Sequence, residues 1–163
     1  VLFSLFLIVF VSQNFAADKA LSVSLKDMDG ELVRLDDLLQ EKVVLLDFWA
    51  TWCKPCQKSL PKLQKVYEEF EEKGFVIFGI NEDGPRSISK VQPFVNSMGL
   101  TYPILLDENR DVARKYKVAG FPTAILVDKS GEIAMTLRGY RPGDEHHLKE
   151  IIESLLAEEV SKN

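Results

Sequence analysis

The 163 residues carry 46% apolar and 28% charged side chains, which fits one globular domain with a core of ordinary size and argues against a second. A net charge of -5 argues against a nucleic-acid partner, because a phosphate-binding surface needs clustered Lys and Arg. Proteins or small thiols are the partners expected.

Val1 to Val11 form an uncharged apolar run, followed by small and polar residues to Ala17. This reads as a signal-peptide core or a membrane anchor over residues 1–17, although it is short of the roughly twenty apolar residues that span a bilayer as a helix. Either reading places the domain, residues 18–163, outside the cytoplasm.

Leu21 to Leu35 alternates apolar and polar positions about Asp27-Met28-Asp29-Gly30, predicting an opening β-hairpin. Asp36 is placed to cap a brief helix through Gln40. Val43 to Trp49 is apolar on both faces apart from Asp47, as in a strand covered on two sides. From Cys53, the residues Leu60, Leu63, Val66, Tyr67 and Phe70 recur every three or four positions until Gly74 and predict an amphipathic helix, with Pro61 inside it.

Phe75 to Ile80 predicts a strand that ends in the polar loop Asn81 to Pro85. A helix over Ser87 to Met98, a strand over Ile104 to Leu106 and a helix over Asn109 to Tyr116 follow. Thr123 to Val127 and Glu132 to Arg138 are strands joined by the turn Asp128 to Gly131, and Leu148, Ile151, Ile152, Leu155 and Leu156 stripe a last helix. This order is that of an α/β domain: a mixed central sheet with helices on both faces and an N-terminal β-hairpin.

The chain has two cysteines, three positions apart in Trp52-Cys53-Lys54-Pro55-Cys56. A structural disulfide framework uses more cysteines spread along the chain, and zinc needs four ligands, so a redox-active Cys53–Cys56 pair is expected and neither metal nor cofactor. A helix that begins at Cys53 sets its sulfur beside free N–H groups and partial positive charge, which stabilise a thiolate. Cys53 is then the nucleophile, and Cys56, one turn on, the thiol that resolves a mixed disulfide. Pro55 is tolerated in a first turn, and Lys54 adds a cation that either favours the thiolate or is simply solvated. Asp47, a carboxylate in an apolar strand, is a candidate proton acceptor for Cys56, with a pKa raised by burial.

The stretch Val44 to Cys56, VLLDFWATWCKPC, closely resembles the active-site strand and loop of thioredoxins, with Asp47 at the position of their buried Asp. The hairpin, the leader and the insertion from Pro85 to Leu106 ahead of Gly120-Phe121-Pro122-Thr123 are similar to the extracytoplasmic TlpA-like and ResA-like branch of that family. The resemblance covers about Leu21 to Leu156. It implies a thioredoxin fold, a cis proline at Pro122 facing the cysteines, and a substrate strand that meets Trp52, Lys54, Pro55, Phe121 and Pro122. It implies a monomeric reductase of protein disulfides fed by a membrane-embedded thiol donor, with apocytochrome c among the candidate substrates. An oxidase or isomerase would use the same cysteines.

Members of this branch often carry Asn where this chain has Asp47. Some supply an acidic residue from the loop after the next strand, where this chain has Glu82, so Asp47 and Glu82 are both candidates to handle the proton. Thiol peroxidases of this fold carry Pro and Thr four and three residues before their reactive cysteine. Trp49 and Ala50 stand there in this chain.

Overall fold

The computed structural model describes residues 18–157, so the leader expected over residues 1–17 lies outside the described residues. The strands are β1 (Ser24–Asp27), β2 (Leu32–Arg34), β3 (Val43–Trp49), β4 (Phe75–Asn81), β5 (Ile104–Leu106), β6 (Thr123–Val127) and β7 (Ile133–Arg138). The helices are α1 (Lys54–Phe70), α2 (Val91–Met98), α3 (Asp111–Lys115) and α4 (Asp144–Ala157).

The strands form one sheet in the order β2-β1-β5-β4-β3-β6-β7. β3 runs parallel to β4 and antiparallel to β6, while β4 runs parallel to β5. A parallel neighbour requires a crossover, and α1 supplies it between β3 and β4. Every residue of β3 and β4 is buried, because helices or loops cover both faces.

Strand alternation divides the core. Val43, Leu45 and Trp49 face Leu60, Leu63, Val66 and Phe70 of α1, together with α2 and α4, whereas Val44, Leu46 and Phe48 face α3 and the N-terminal segment. Each large apolar side chain of α1 taken from water contributes about 1.5–3 kcal/mol, so Leu60→Ala, which leaves a cavity, costs about 2–5 kcal/mol. The hairpin turn forms as expected, with Gly30 at a φ of +87° and Asp27 Oδ1 accepting the N–H groups of Asp29 and Glu31.

Three expectations need correction. Residues 36–41 form successive turns rather than a helix. The Gln40 N–H leaves any helical path to reach Lys129 O at 2.8 Å, with Gln40 itself at a φ of +78°. The segment expected to be helical from Ser87 opens with a 3-10 turn at Ile88–Lys90, and α2 starts only at Val91. Pro93 therefore occupies the first turn of α2, where it has no intrahelical bond to break. The helix expected from Asn109 starts at Asp111, because Arg110 takes the left-handed conformation and Asp107 Oδ1 and Oδ2 accept the N–H groups of Asp111 and Ala113.

Candidate active site

Cys53 is the N-cap of α1 and is joined to Cys56 by a disulfide. Its backbone is extended, its Sγ lies 3.2 Å from the Cys56 N–H, and its C=O accepts the Gln57 N–H at 3.1 Å, the first bond of the helix. The Cys53 sulfur thus lies against the partially positive end of a 17-residue helix, the position that stabilises a thiolate once the bond is reduced. Cys56 is wholly buried and Cys53 nearly so, at 4% exposure.

The loop before Cys53 is held from beneath. Asp83, buried after β4, accepts both the N–H and the hydroxyl of Thr51 at 2.7 Å, and it accepts Asn81 Nδ2 at 2.9 Å. From α1, Gln57 Nε2 donates to Thr51 O at 2.9 Å. Asp83 escaped the sequence reading. Its signal was a polar Asn81-Glu82-Asp83 run at the carboxyl end of an apolar strand, beside the carboxyl end of β3, where sites collect in open α/β sheets.

Of the residues expected to meet substrate, Trp52, Lys54 and Pro55 are exposed, Phe121 is half-buried and Pro122 is buried. The Phe121-Pro122 peptide is cis, as the resemblance implies. The Trp52 and Phe121 rings meet edge-on with centroids 5.8 Å apart, and with Cys53, Lys54, Pro55 and Arg110 they line an open groove of about 460 Å³.

Two of the carboxyl groups buried behind this surface accept no hydrogen bond among the described residues. Asp47 is 1% exposed and neither of its oxygens has a hydrogen-bond partner, so desolvation pushes its pKa up to about 7. It lines a 30 Å³ cavity with Ser59 and Pro122, space enough for one water molecule. Ser59 is one turn beyond Cys56 and its hydroxyl donates to Cys56 O at 3.1 Å, so the cavity adjoins the turn that carries the second cysteine.

Glu82 is 4% exposed and raised to about 8, first by burial and then by the neighbouring Asp107 carboxyl, with Arg110 opposing. Arg110 Nε lies 3.4 Å from Glu82 Oε2, and the guanidinium sits over the Phe121 ring, 5.1 Å from its centroid. Arg110 and Asp107 were missed in the sequence because Arg110 falls inside the helix expected over Asn109 to Tyr116, where a charged side chain reads as solvated.

The profile of the AhpC/TSA family matches residues 16–136. The chain belongs to the AhpC/TSA family. It is 36% identical over 124 residues to thiol-disulfide oxidoreductase ResA of Halalkalibacterium halodurans, covering 76% of this chain and 69% of the relative. It is 34% identical over 149 residues to ResA of Bacillus thuringiensis, covering 85% and 84%. Among solved structures, a putative thiol:disulfide interchange protein DsbE from Chlorobium tepidum superposes with a TM-score of 0.79 at 31% identity, over 86% of this chain and 96% of that one. The fold is thioredoxin-like, and this family member is a thiol-disulfide oxidoreductase working through the Cys53–Cys56 pair.

Proposed function

We propose that the protein is an extracytoplasmic reductase of protein disulfides, with residues 1–17 as its signal peptide or anchor and a membrane-embedded thiol as its electron donor. The observation that carries this reading is the Cys53–Cys56 disulfide at the N-terminus of α1, opening on the groove walled by Trp52 and Phe121. The similarity to a thiol-disulfide oxidoreductase ResA and a thiol:disulfide interchange protein DsbE supports the disulfide-exchange chemistry.

In the reduced protein the Cys53 thiolate attacks a substrate disulfide, forming a mixed disulfide and releasing one substrate thiolate. Cys56, losing its proton, attacks Cys53 Sγ. The Cys53–Cys56 bond re-forms and the second substrate thiolate leaves, so two electrons pass to the substrate. Asp47 is the acceptor for the Cys56 proton, since its unpartnered carboxyl lines the cavity that adjoins the Cys56 turn and its pKa lies near 7. Glu82 lies on the groove side, where Arg110 links it to Phe121. Trp52, Lys54, Pro55, Phe121 and Pro122 receive the substrate strand.

Equilibration with glutathione tests the direction. A potential near the thioredoxin value of about -270 mV supports a reductase, and one near about -120 mV makes the protein an oxidase. Cys56→Ser is expected to accumulate mixed disulfides and Cys53→Ser to be inactive. The partners trapped on Cys56→Ser show whether apocytochrome c is among them. Full activity of either single variant would sink the two-cysteine mechanism. Peroxide reduction ranks below this reading, because Trp49 and Ala50 stand where a peroxidase carries Pro and Thr. Rapid peroxide consumption by the reduced protein would reverse that ranking.

A further inference from the structure

The surface around the disulfide does not share the acidity of the chain. The groove beside Cys53 is lined by two cations, Lys54 and Arg110, and by no acidic side chain, in a protein of net charge -5. Lys58 extends the positive rim beyond Lys54 and Pro55.

Arg110 is held there by its backbone. It adopts a φ of +59°, uncommon for a residue with a side chain, and its N–H donates to Asp107 O at 2.8 Å. The Asp107 carboxyl is committed to the first turn of α3. The guanidinium rests on Phe121, an arrangement that restrains it without saturating it. Among the described residues its one ion-pair partner is Glu82, 3.4 Å from Nε, and the guanidinium makes no hydrogen bond. The side chain is 48% exposed. A planar fork of donors, braced on an aromatic wall and open at its outer edge, matches a carboxylate better than any other peptide group.

We propose that Arg110 selects substrates by binding the carboxylate of an Asp or Glu close in sequence to the cysteine that Cys53 attacks, so that acidic segments are preferred. This rests on the reading that Cys53 attacks protein disulfides. Lys54 and Lys58 add attraction that salt screens.

The test uses the reduced protein and peptides whose single cysteine is linked by a disulfide to 2-thiopyridine, flanked by Glu, Gln or Lys. Release of the thiopyridone is followed, and each rate is divided by that with dithiothreitol to remove intrinsic reactivity. For Glu over Gln we expect about a five-fold preference in the second-order rate constant of this single turnover, carried mainly by binding; this corresponds to about 1 kcal/mol for an exposed pair. The preference should shrink in high salt. Arg110→Gln should bring the ratio to about one, and Arg110→Glu should turn it in favour of Lys. Each ratio is taken within one variant, so a lower folded fraction cancels.

A Glu to Gln ratio that Arg110→Gln leaves unchanged overturns the proposal. So does an equal slowing of all peptides with a displaced pH profile, which would make Arg110 only a partner of Glu82. If the wild type is no faster than Cys53→Ser on any peptide, the oxidoreductase reading itself fails, and the proposal with it.

Discussion

Replacing Asp47 with Asn keeps the shape of the side chain and removes its titration. In the folded protein the carboxyl titrates at about 7, against 3.8 in an unperturbed chain, because it is buried with neither oxygen hydrogen-bonded. The folded state therefore binds the proton more tightly than the unfolded state. Stability from this group is complete below pH 3.8, falls as the pH rises and is lost through about pH 7. Between pH 5 and pH 8 the loss amounts to about 2–3 kcal/mol. The amide of the Asp47→Asn variant adds its own constant cost, because it also lacks partners, so the pH dependence of the difference is the diagnostic.

Urea unfolding of the oxidised protein at pH 5 and pH 8 should show Asp47→Asn gaining about 2–3 kcal/mol on the wild type between the two. A difference between the two proteins that is the same at both pH values would refute a buried, unpaired carboxyl. In the reduced protein the same substitution should slow resolution of the mixed disulfide and remove an ionisation near pH 7 from its rate profile.

Glu82→Gln should flatten a second portion of the stability profile, from the ordinary carboxyl value of 4.5 up to about pH 8, with the same sign. Urea midpoints at pH 5 and pH 9 would check it, and a wild-type slope retained in the variant would count against the burial of Glu82. Asp83→Ala removes the acceptor of three bonds beneath the Thr51 loop and should destabilise the protein by about 3 kcal/mol, read from chemical denaturation; a change under about 0.5 kcal/mol would show the network to be dispensable. Gly79 faces Asp47 across the β3–β4 pairing, and a Cβ there would come within 2.8 Å of Tyr102 and Ile104. Gly79→Ala should therefore cost about 1–3 kcal/mol through overpacking, and an unchanged melting temperature would contradict it.

The buried strands were legible because contiguous apolar runs such as Val43 to Trp49 leave little choice of element, and α1 because its stripe from Leu60 to Phe70 repeats for about three turns. The short elements were not. In segment 36–40 the N–H groups find turn and loop acceptors, Gln40 bonding Lys129 O, whereas the equally short α3 is held by the Asp107 carboxyl at its first turn. Arg110 passed as a helix residue although a left-handed turn sets it apart, and only the carboxyl of Asp107 explains where α3 begins.

For the site, the sequence by itself determined the redox pair, since three-residue spacing after a strand puts Cys53 at a helix N-terminus and Cys56 one turn along it. These are relations within a single turn, set by local geometry. Only the tertiary structure decided which acidic side chains are buried and what they face. Asp47, Glu82, the Asp107–Arg110 turn and Phe121 come from four separate segments, and strand pairing joins them at one end of the sheet. A carboxyl group's proton affinity depends on the water and charges around it, which no position in the chain specifies alone.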